Sequence, residues 1–218
     1  MFYFVVIIDT IGSIDDLIEK YEGMICKLND YLLLHFNNMN KNGNLKFKDV
    51  FQYQNGGTFK SSEYVNYSNY KLITIKNIDA SGFNLKDITY LSSGNNKFKL
   101  DIGDILLTMT GAYLGRSGIV DEDNCYLNQR VLKLSSLSSA FTYCFLKAHQ
   151  QDIFSLGKGS AQPNLSLADL LDFNVPYSLN EISFFKTNDK YIDEILNIKT
   201  KIKKLSNLKI KYLNKYFR

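Results

Sequence analysis

The chain has 218 residues, 45% of them apolar, and a formal net charge of +4. That length holds one globular domain with helical extensions or two very small domains, and the apolar content excludes a globally disordered chain. The charge is unevenly placed: residues 1–40 carry Lys20 and Lys27 against Asp9, Asp15, Asp16, Glu19, Glu22 and Asp30, whereas from residue 195 onward eight basic residues meet no acid.

The chain opens on an apolar run that ends at Ile8. A bilayer span needs about 20 apolar residues, so this run is too short to cross one. It also lacks the cationic start and small-residue cleavage site of a secretion signal. Residues 1–12 are therefore expected as an apolar lead-in. A helix is predicted over residues 13–40, with Ser13 as N-cap, Asp16 at the reciprocal capping position and acids in its first turn. Ile14, Ile18, Tyr21, Ile25, Leu28 and Leu32 recur at alternating spacings of four and three, which is a coiled-coil seam. Leu17, Met24 and Tyr31 widen that face, so the helix is expected to pack on more than one neighbour.

Residues 44–178 read as a mixed α/β domain. Strands are predicted at residues 70–75, 104–109 and 131–134. Gly56-Gly57, Ser93-Gly94-Asn95-Asn96 and Gly157-Lys158-Gly159-Ser160 supply turns, and residues 141–154 read as a helix. A last helix follows over residues 182–218. Its seam of Tyr191, Ile195, Ile198, Ile202 and Leu205 is interrupted at Lys209 and resumes at Tyr212 and Tyr216. At an offset of 177 residues Asp16 matches Asp193, Ile18 matches Ile195, Ile25 matches Ile202 and Leu28 matches Leu205. The expected fold is thus α+β: one mixed domain flanked by two long helices that form an antiparallel coiled-coil spacer. Ile18, Ile25 and Leu28 would face Ile195, Ile202 and Leu205, and the acidic first helix would complement the basic last one.

Little in the chain points to catalysis. Cys26, Cys125 and Cys144 form no CxxC pair, and His35 and His149 have no zinc-ligand spacing, so no metal site is expected. Neither histidine has a nucleophile context. Asn174-Val175-Pro176-Tyr177 is similar to the Asn-Pro-Pro-Tyr motif with which adenine-N6 methyltransferases grip a flipped base. A methyltransferase fragment is therefore one alternative, although no glycine-rich loop follows an early strand to hold a cofactor. A coiled-coil assembly protein without DNA specificity is another.

Four blocks in the central segment resemble a known family. They are Gly56-Gly57-Thr58 with residues 72–78; Gly103-Asp104-Ile105-Leu106-Leu107-Thr108-Met109-Thr110-Gly111-Ala112; Leu127-Asn128-Gln129-Arg130-Val131; and Gly159-Ser160-Ala161-Gln162-Pro163-Asn164 running on to Val175-Pro176. Their order and spacing are similar to the target recognition domain of type I restriction–modification specificity subunits. Phe184-Phe185, Asp193, Ile195, Ile202, Leu205, Lys209 and Phe217 match the long helix that follows it in that family. Full subunits usually carry two such domains, so this chain resembles a half-subunit or the C-terminal portion of one.

The resemblance implies a non-catalytic reader of double-stranded DNA in the cytoplasm, recognising half of a split target. Its partners would be modification methyltransferase subunits carrying S-adenosylmethionine and restriction motor subunits using ATP, with no cofactor on this chain and no membrane. The contact residues expected in its loops are Lys60, Ser61 and Ser62; Thr108, Thr110, Tyr113 and Arg116; and Lys158, Ser160 and Gln162. Gly111, Gly115 and Asn128-Gln129 can be purely architectural. Surplus apolar surface on the helices further implies a homodimer.

Overall fold

The structure, a computed structural model, describes residues 2–159 and 163–217. Its first element is a 36-residue helix, α1 (Phe2–Asn37). The expected lead-in over residues 1–12 and the N-cap at Ser13 are not what forms. Residues 2–12 are helical, and the Ser13 hydroxyl donates to the Asp9 carbonyl one turn back at 2.8 Å. The physical reason is that the seam continues upstream. Ile7 and Ile14, one heptad apart, are both buried, and packing of an apolar face outweighs the weak helix propensity of Gly12 and the β-branched residues around it.

The helix α2 (Phe47–Val50) and the strands β1 (Leu45–Lys46) and β2 (Gln52–Asn55) lead into the central domain. Then come β3 (Tyr64–Val65), β4 (Tyr70–Ile73), β5 (Ile78–Asp79), β6 (Gly82–Phe83), β7 (Thr89–Leu91) and β8 (Lys99–Leu100). They are followed by β9 (Ile105–Thr108), β10 (Ser117–Ile119), β11 (Cys125–Leu127) and β12 (Val131–Ser135). Helices α3 (Ser139–Ala148), α4 (Gln150–Ser155) and α5 (Leu167–Leu171), strand β13 (Asn174–Val175) and helices α6 (Leu179–Phe185) and α7 (Asp189–Tyr216) complete the described chain.

Two sheets organise the domain. One is four-stranded and antiparallel in the order β10-β9-β12-β2; the other is five-stranded in the order β3-β7-β4-β11-β8, with β4 and β11 parallel. The central strand β9 is buried at all four positions and serves two cores by alternation. Ile105 and Leu107 point into the core shared with the helices, while Leu106 joins Ile73, Leu100, Val120 and Leu127 between the sheets. In β12, Leu132 and Leu134 face the helical core and Val131 the other.

The predicted helix at residues 141–154 forms as two, α3 and α4, broken at His149 with φ −101 and ψ 17. Ser138 caps α3 by accepting from the Phe141 amide at 3.0 Å. The same hydroxyl donates to Asp189 at the start of α7 at 2.6 Å, which ties the domain to the last helix.

Helices α1 and α7 run antiparallel. Lys209 meets Asp15 at 2.6 Å, Lys201 lies 5.6 Å over the Tyr21 ring, and the Tyr31 and Tyr191 rings are 4.9 Å apart. Positions that ascend in one helix descend in the other. Lys209, which interrupts the apolar register, is thus a cation that answers the acidic first helix. Ile195 is buried, and Ile18, Ile25, Leu28, Ile202 and Leu205 are half-buried along the contact. Buried Leu32 and Phe36 of α1, Ile182 and Phe185 of α6, and Ile192 and Ile195 of α7 all belong to the core of the central domain. The spacer and the domain therefore share one interior.

Candidate nucleic-acid interface

A single turn organises a polar concave surface. Strand β11 ends at Leu127, and the chain reverses through Asn128, Gln129 and Arg130 into β12. The turn is held from three sides. The Asn128 amide N–H donates to the Ile73 carbonyl at 3.1 Å, the Gln129 N–H to Gly57 at 2.9 Å, and the Val131 N–H to Asn128 at 2.9 Å. The Asn128 side chain accepts from the Arg130 N–H at 3.1 Å, and the Arg130 carbonyl accepts from Met109 at 3.0 Å. Gly56 is required by close approach: a Cβ there would fall 2.1 Å from the Asn128 carbonyl oxygen. Gly56 and Asn128 are thus architectural, and what they build is a rigid base for the two side chains that follow.

Gln129 and Arg130 form a ridge between two hollows. On one side lies a hollow of about 450 Å³ bounded by Asn55, Met109, Thr110, Asn164, Leu165 and Leu167. On the other lies one of about 380 Å³ bounded by Phe59, Tyr64, Thr74, Lys76, Asp87 and Thr89. Both Gln129 and Arg130 line both hollows. Gln129 accepts from the Thr58 hydroxyl at 2.8 Å, which leaves its amide nitrogen to face outward. Among the described residues the Arg130 guanidinium has no partner. Several cations elsewhere in the domain and on α7 are neutralised: Lys71 on Glu122, Lys133 on Asp104, Lys199 and Lys203 on Asp121, and Lys209 on Asp15.

The expected contact residues distribute unevenly around this ridge. Thr110 lines the larger hollow, and its hydroxyl is buried without a partner among the described residues. Lys60, Ser61 and Ser62 are exposed on the short turn between Phe59 and Tyr64, both of which line the smaller hollow. Lys158 is exposed and paired with Asp169 at 2.7 Å, while its backbone pairs with Asn164. Ser160 and Gln162 lie outside the described residues.

Thr108 is a correction. It is fully buried, and its hydroxyl donates to the Tyr113 carbonyl and accepts from the Arg116 N–H at 3.1 Å. That clamp closes the turn after β9, where Gly115 sits at φ 79 and a Cβ would fall 2.8 Å from the Gln150 carbonyl. Thr108 therefore has no surface to offer DNA. Arg116 stacks over the Tyr113 ring at 4.8 Å, and neither residue lines either hollow. The positive charge of Arg116 falls partly on Asp79, whose carboxyl is held below its usual range chiefly by the Ser81 hydroxyl, against some desolvation, with Lys86 and Arg116 adding to the effect.

Sequence reasoning missed Asn55, Lys76, Arg130 and Asn164, and read Gln129 as architecture. The available signal was the single cation in the Leu127-Asn128-Gln129-Arg130-Val131 block.

The family described as type I restriction modification DNA specificity domain matches residues 39–212, most of the chain. The chain belongs to that family. Its central domain is accordingly a DNA specificity domain, a reader rather than a catalyst, and the antiparallel helices are part of the same family fold. Three solved structures share the fold. The S subunit of a type I restriction–modification system from M. genitalium superimposes with a TM-score of 0.62 at 19% identity, covering 95% of this chain and 59% of that one. The HsdS subunit from Thermoanaerobacter tengcongensis gives 0.50 at 12% identity, over 98% and 56%. A chain from a structure concerned with complex assembly and conformational transition of the type I R-M system gives 0.53 at 13%, over 97% and 58%. The chain thus spans under three fifths of the length of the solved chains it matches. No curated protein matches it.

The specificity-domain assignment agrees with the chemistry of the rival motif. In Asn174-Val175-Pro176-Tyr177, Asn174 accepts from Lys46 at 2.9 Å, Val175 is buried, and Tyr177 is fully buried against Phe36 and Phe141. An aromatic ring locked in the core cannot stack on a flipped base. The two buried thiols are equally unsuited to catalysis, since burial pushes Cys125 and Cys144 up to about 12. Among the described residues no helix is long and apolar enough to cross a membrane.

Proposed function

We propose that this chain is the reader of one half of a split target in double-stranded DNA, working in the cytoplasm as the specificity component of a type I restriction–modification system. The observation that carries the reading is the unpaired Arg130 on a rigid ridge between two polar hollows, in a family of DNA specificity domains. Modification methyltransferase subunits would dock on it and bring S-adenosylmethionine; restriction motor subunits would bring ATP. Neither cofactor belongs to this chain.

The test is selection from a pool of random duplexes by the full chain together with its modification subunits. Enrichment of a defined half-site is expected, and a pool recovered without enrichment would sink the reading. Lys60 fits a phosphate contact, because it is exposed beside the smaller hollow and its side chain has no acidic partner among the described residues. Lys60→Ala should weaken binding equally on all sequences and lower the salt slope by about one. An unchanged slope would move the phosphate contact elsewhere.

The helices support a homodimer. Tyr31 packs on Tyr191 of the same chain, but Leu17 and Met24 remain exposed on α1, beside acids of that helix, while Leu208, Ile210 and Leu213 remain exposed on basic α7. A two-fold pairing would cover these faces and set acid against base. It would also place two identical readers at opposite ends of a helical spacer, so the target would be an inverted repeat with a fixed gap. Sedimentation velocity at micromolar concentration should give twice the mass of one chain. A monomer throughout, or a non-palindromic modification site, would overturn this assembly.

A further inference from the structure

The ridge carries more chemical detail than DNA binding alone requires. Phosphate offers only acceptors, so a surface built to hold phosphate wants donors: lysines, arginines, hydroxyls and amide N–H groups. Base edges in the major groove offer donors and acceptors in fixed patterns, and the side chains that read them are an arginine fork for guanine and carboxamides for adenine. The larger hollow has the second composition. Around Arg130 stand the carboxamides of Asn55, Gln129 and Asn164 and the unpartnered hydroxyl of Thr110. Each carboxamide brings an acceptor oxygen that phosphate would repel. No carboxylate bounds this hollow, so nothing within it competes for the guanidinium.

Preorganisation favours the same assignment. The peptide groups on both sides of Arg130 are fixed, the N–H on the Asn128 side chain at 3.1 Å and the carbonyl by Met109 at 3.0 Å. Asn55 closes strand β2 opposite Leu132, and the Asn164 backbone is bonded to Lys158 in both directions, at 3.1 and 2.9 Å. Neither the Asn55 nor the Asn164 carboxamide has a hydrogen-bond partner among the described residues. Three exposed side chains on anchored backbone, without a protein partner among the described residues and grouped on one hollow, can exchange water for base edges without first breaking a protein contact.

Resting on the DNA-reading function above, we infer that Arg130 is the guanine-reading residue of this domain. Its fork engages O6 and N7 of one guanine in the major groove, and Asn55 and Asn164 read the neighbouring base pairs from the larger hollow. Lys60 and Lys76 flank the ridge as phosphate contacts.

The experiment is the same duplex selection, run on the full chain with its modification subunits as wild type, Arg130→Ala, Arg130→Gln and Asn164→Ala, each checked for an unchanged thermal midpoint. Wild type should require guanine at one position of its half-site. Arg130→Ala should lose that requirement by roughly 10- to 100-fold while keeping selectivity elsewhere. Arg130→Gln should shift the preference at that position toward adenine, since a carboxamide matches adenine N6 and N7. Asn164→Ala should relax an adjacent position and leave the guanine. A uniform loss on every sequence, with the salt slope lower by about one, would make Arg130 a phosphate clamp and overturn the assignment. Wild type selective and Arg130→Ala equally selective would overturn it while leaving the DNA-reading function intact. A wild type with no sequence preference would overturn both.

Discussion

Phe36→Ala is expected to destabilise the protein by about 3–5 kcal/mol, the usual range for removing a fully buried phenylalanine. Phe36 sits in the last turn of α1 and is 1% exposed. Its ring lies 5.1 Å from Tyr177, 5.6 Å from Phe141, 6.0 Å from Phe185 and 6.5 Å from Phe145. One side chain therefore touches the domain's central helix α3, its exit segment and α6. Tilted and edge-on aromatic pairs of this kind add roughly 0.5–1.5 kcal/mol each beyond area burial, and the cavity left by alanine has rigid walls that cannot collapse into it. The consequence is cooperative: the spacer helix should not melt independently of the reader. Urea unfolding followed at two probes, helicity and tyrosine fluorescence, should give coincident transitions in wild type and a single lowered midpoint in the variant. Leu34→Ala, at a 60% exposed position of α1, is the comparison and should stay within about 0.5 kcal/mol of wild type. A loss below about 1 kcal/mol for Phe36→Ala would mean that α1 is not part of the domain's core.

That shared core was the least legible part of the fold. The seams of α1 and α7 could be read because a helix writes its packing into its own spacing, and Ile14, Leu32, Ile195 and Ile198 are indeed buried. The strands β4, β9 and β12 could be read because alternation and buried runs are local signals. Which strand pairs with which could not be read. β11 pairs in parallel with β4 across more than fifty residues of chain, and β2 is paired with β12 at the edge of the other sheet. The start of α1 was misjudged because Ser13 and Asp16 resemble a cap in isolation, while the burial that extends the helix to Phe2 depends on a partner helix at the other end of the sequence. The site shows the same division. Arg130 stands in the block at residues 127–131, yet nothing in its neighbours signals that Asn55, at the end of β2, and Asn164, from a distant loop, line the same hollow. Thr108 looked like a loop hydroxyl, and only the folded turn reveals that Tyr113 and Arg116 consume it.

Asp121→Ala is expected to cost about 1–3 kcal/mol and to loosen the reader on its spacer. The loop between β10 and β11 presents Asp121 and Glu122 to α7. Lys199 meets Asp121 at 2.7 Å, and Lys203 meets Asp121 at 2.8 Å and Glu122 at 2.9 Å and also donates to the Asp121 carbonyl. Lys71 of β4 approaches Glu122 from the domain side at 3.4 Å. Removing one partner of a buried ion pair costs about 3–5 kcal/mol, but the two α7 lysines are 26% and 39% exposed and recover part of their hydration, which lowers the figure. Part of the penalty persists because Lys199 also acts on Lys147, whose amine is pushed down first by burial and then by that neighbouring charge. Without Asp121, Glu122 alone is left to answer Lys199, Lys203 and Lys71 across the junction.

The pH dependence follows from the same groups. Burial works to raise the Glu122 carboxyl, but the hydrogen bond and charge of Lys203, with Lys71, outweigh it and hold the carboxyl below its ordinary value of 4.5. A depressed carboxyl contributes stability that is present above pH 4.5 and is lost as the pH falls through its lower folded value. Lys203 behaves oppositely: burial lowers it, the bonds to Asp121 and Glu122 more than compensate, and its contribution is present below 10.5 and lost as the pH rises through the raised value. The junction should therefore be tight between those limits and release on the acid side first under ordinary handling. Distance measurements between spin labels on α7 and on the β2 edge should give one narrow distribution for wild type at pH 7. The distribution should broaden for Asp121→Ala at pH 7 and for wild type as the pH is lowered stepwise below 4.5. On the proposed reading of a split target, a reader that rocks on its spacer should also tolerate gaps one base pair longer or shorter. An Asp121→Ala protein with an unchanged distance distribution and an unchanged gap requirement would show that the aromatic core alone sets the angle between reader and spacer.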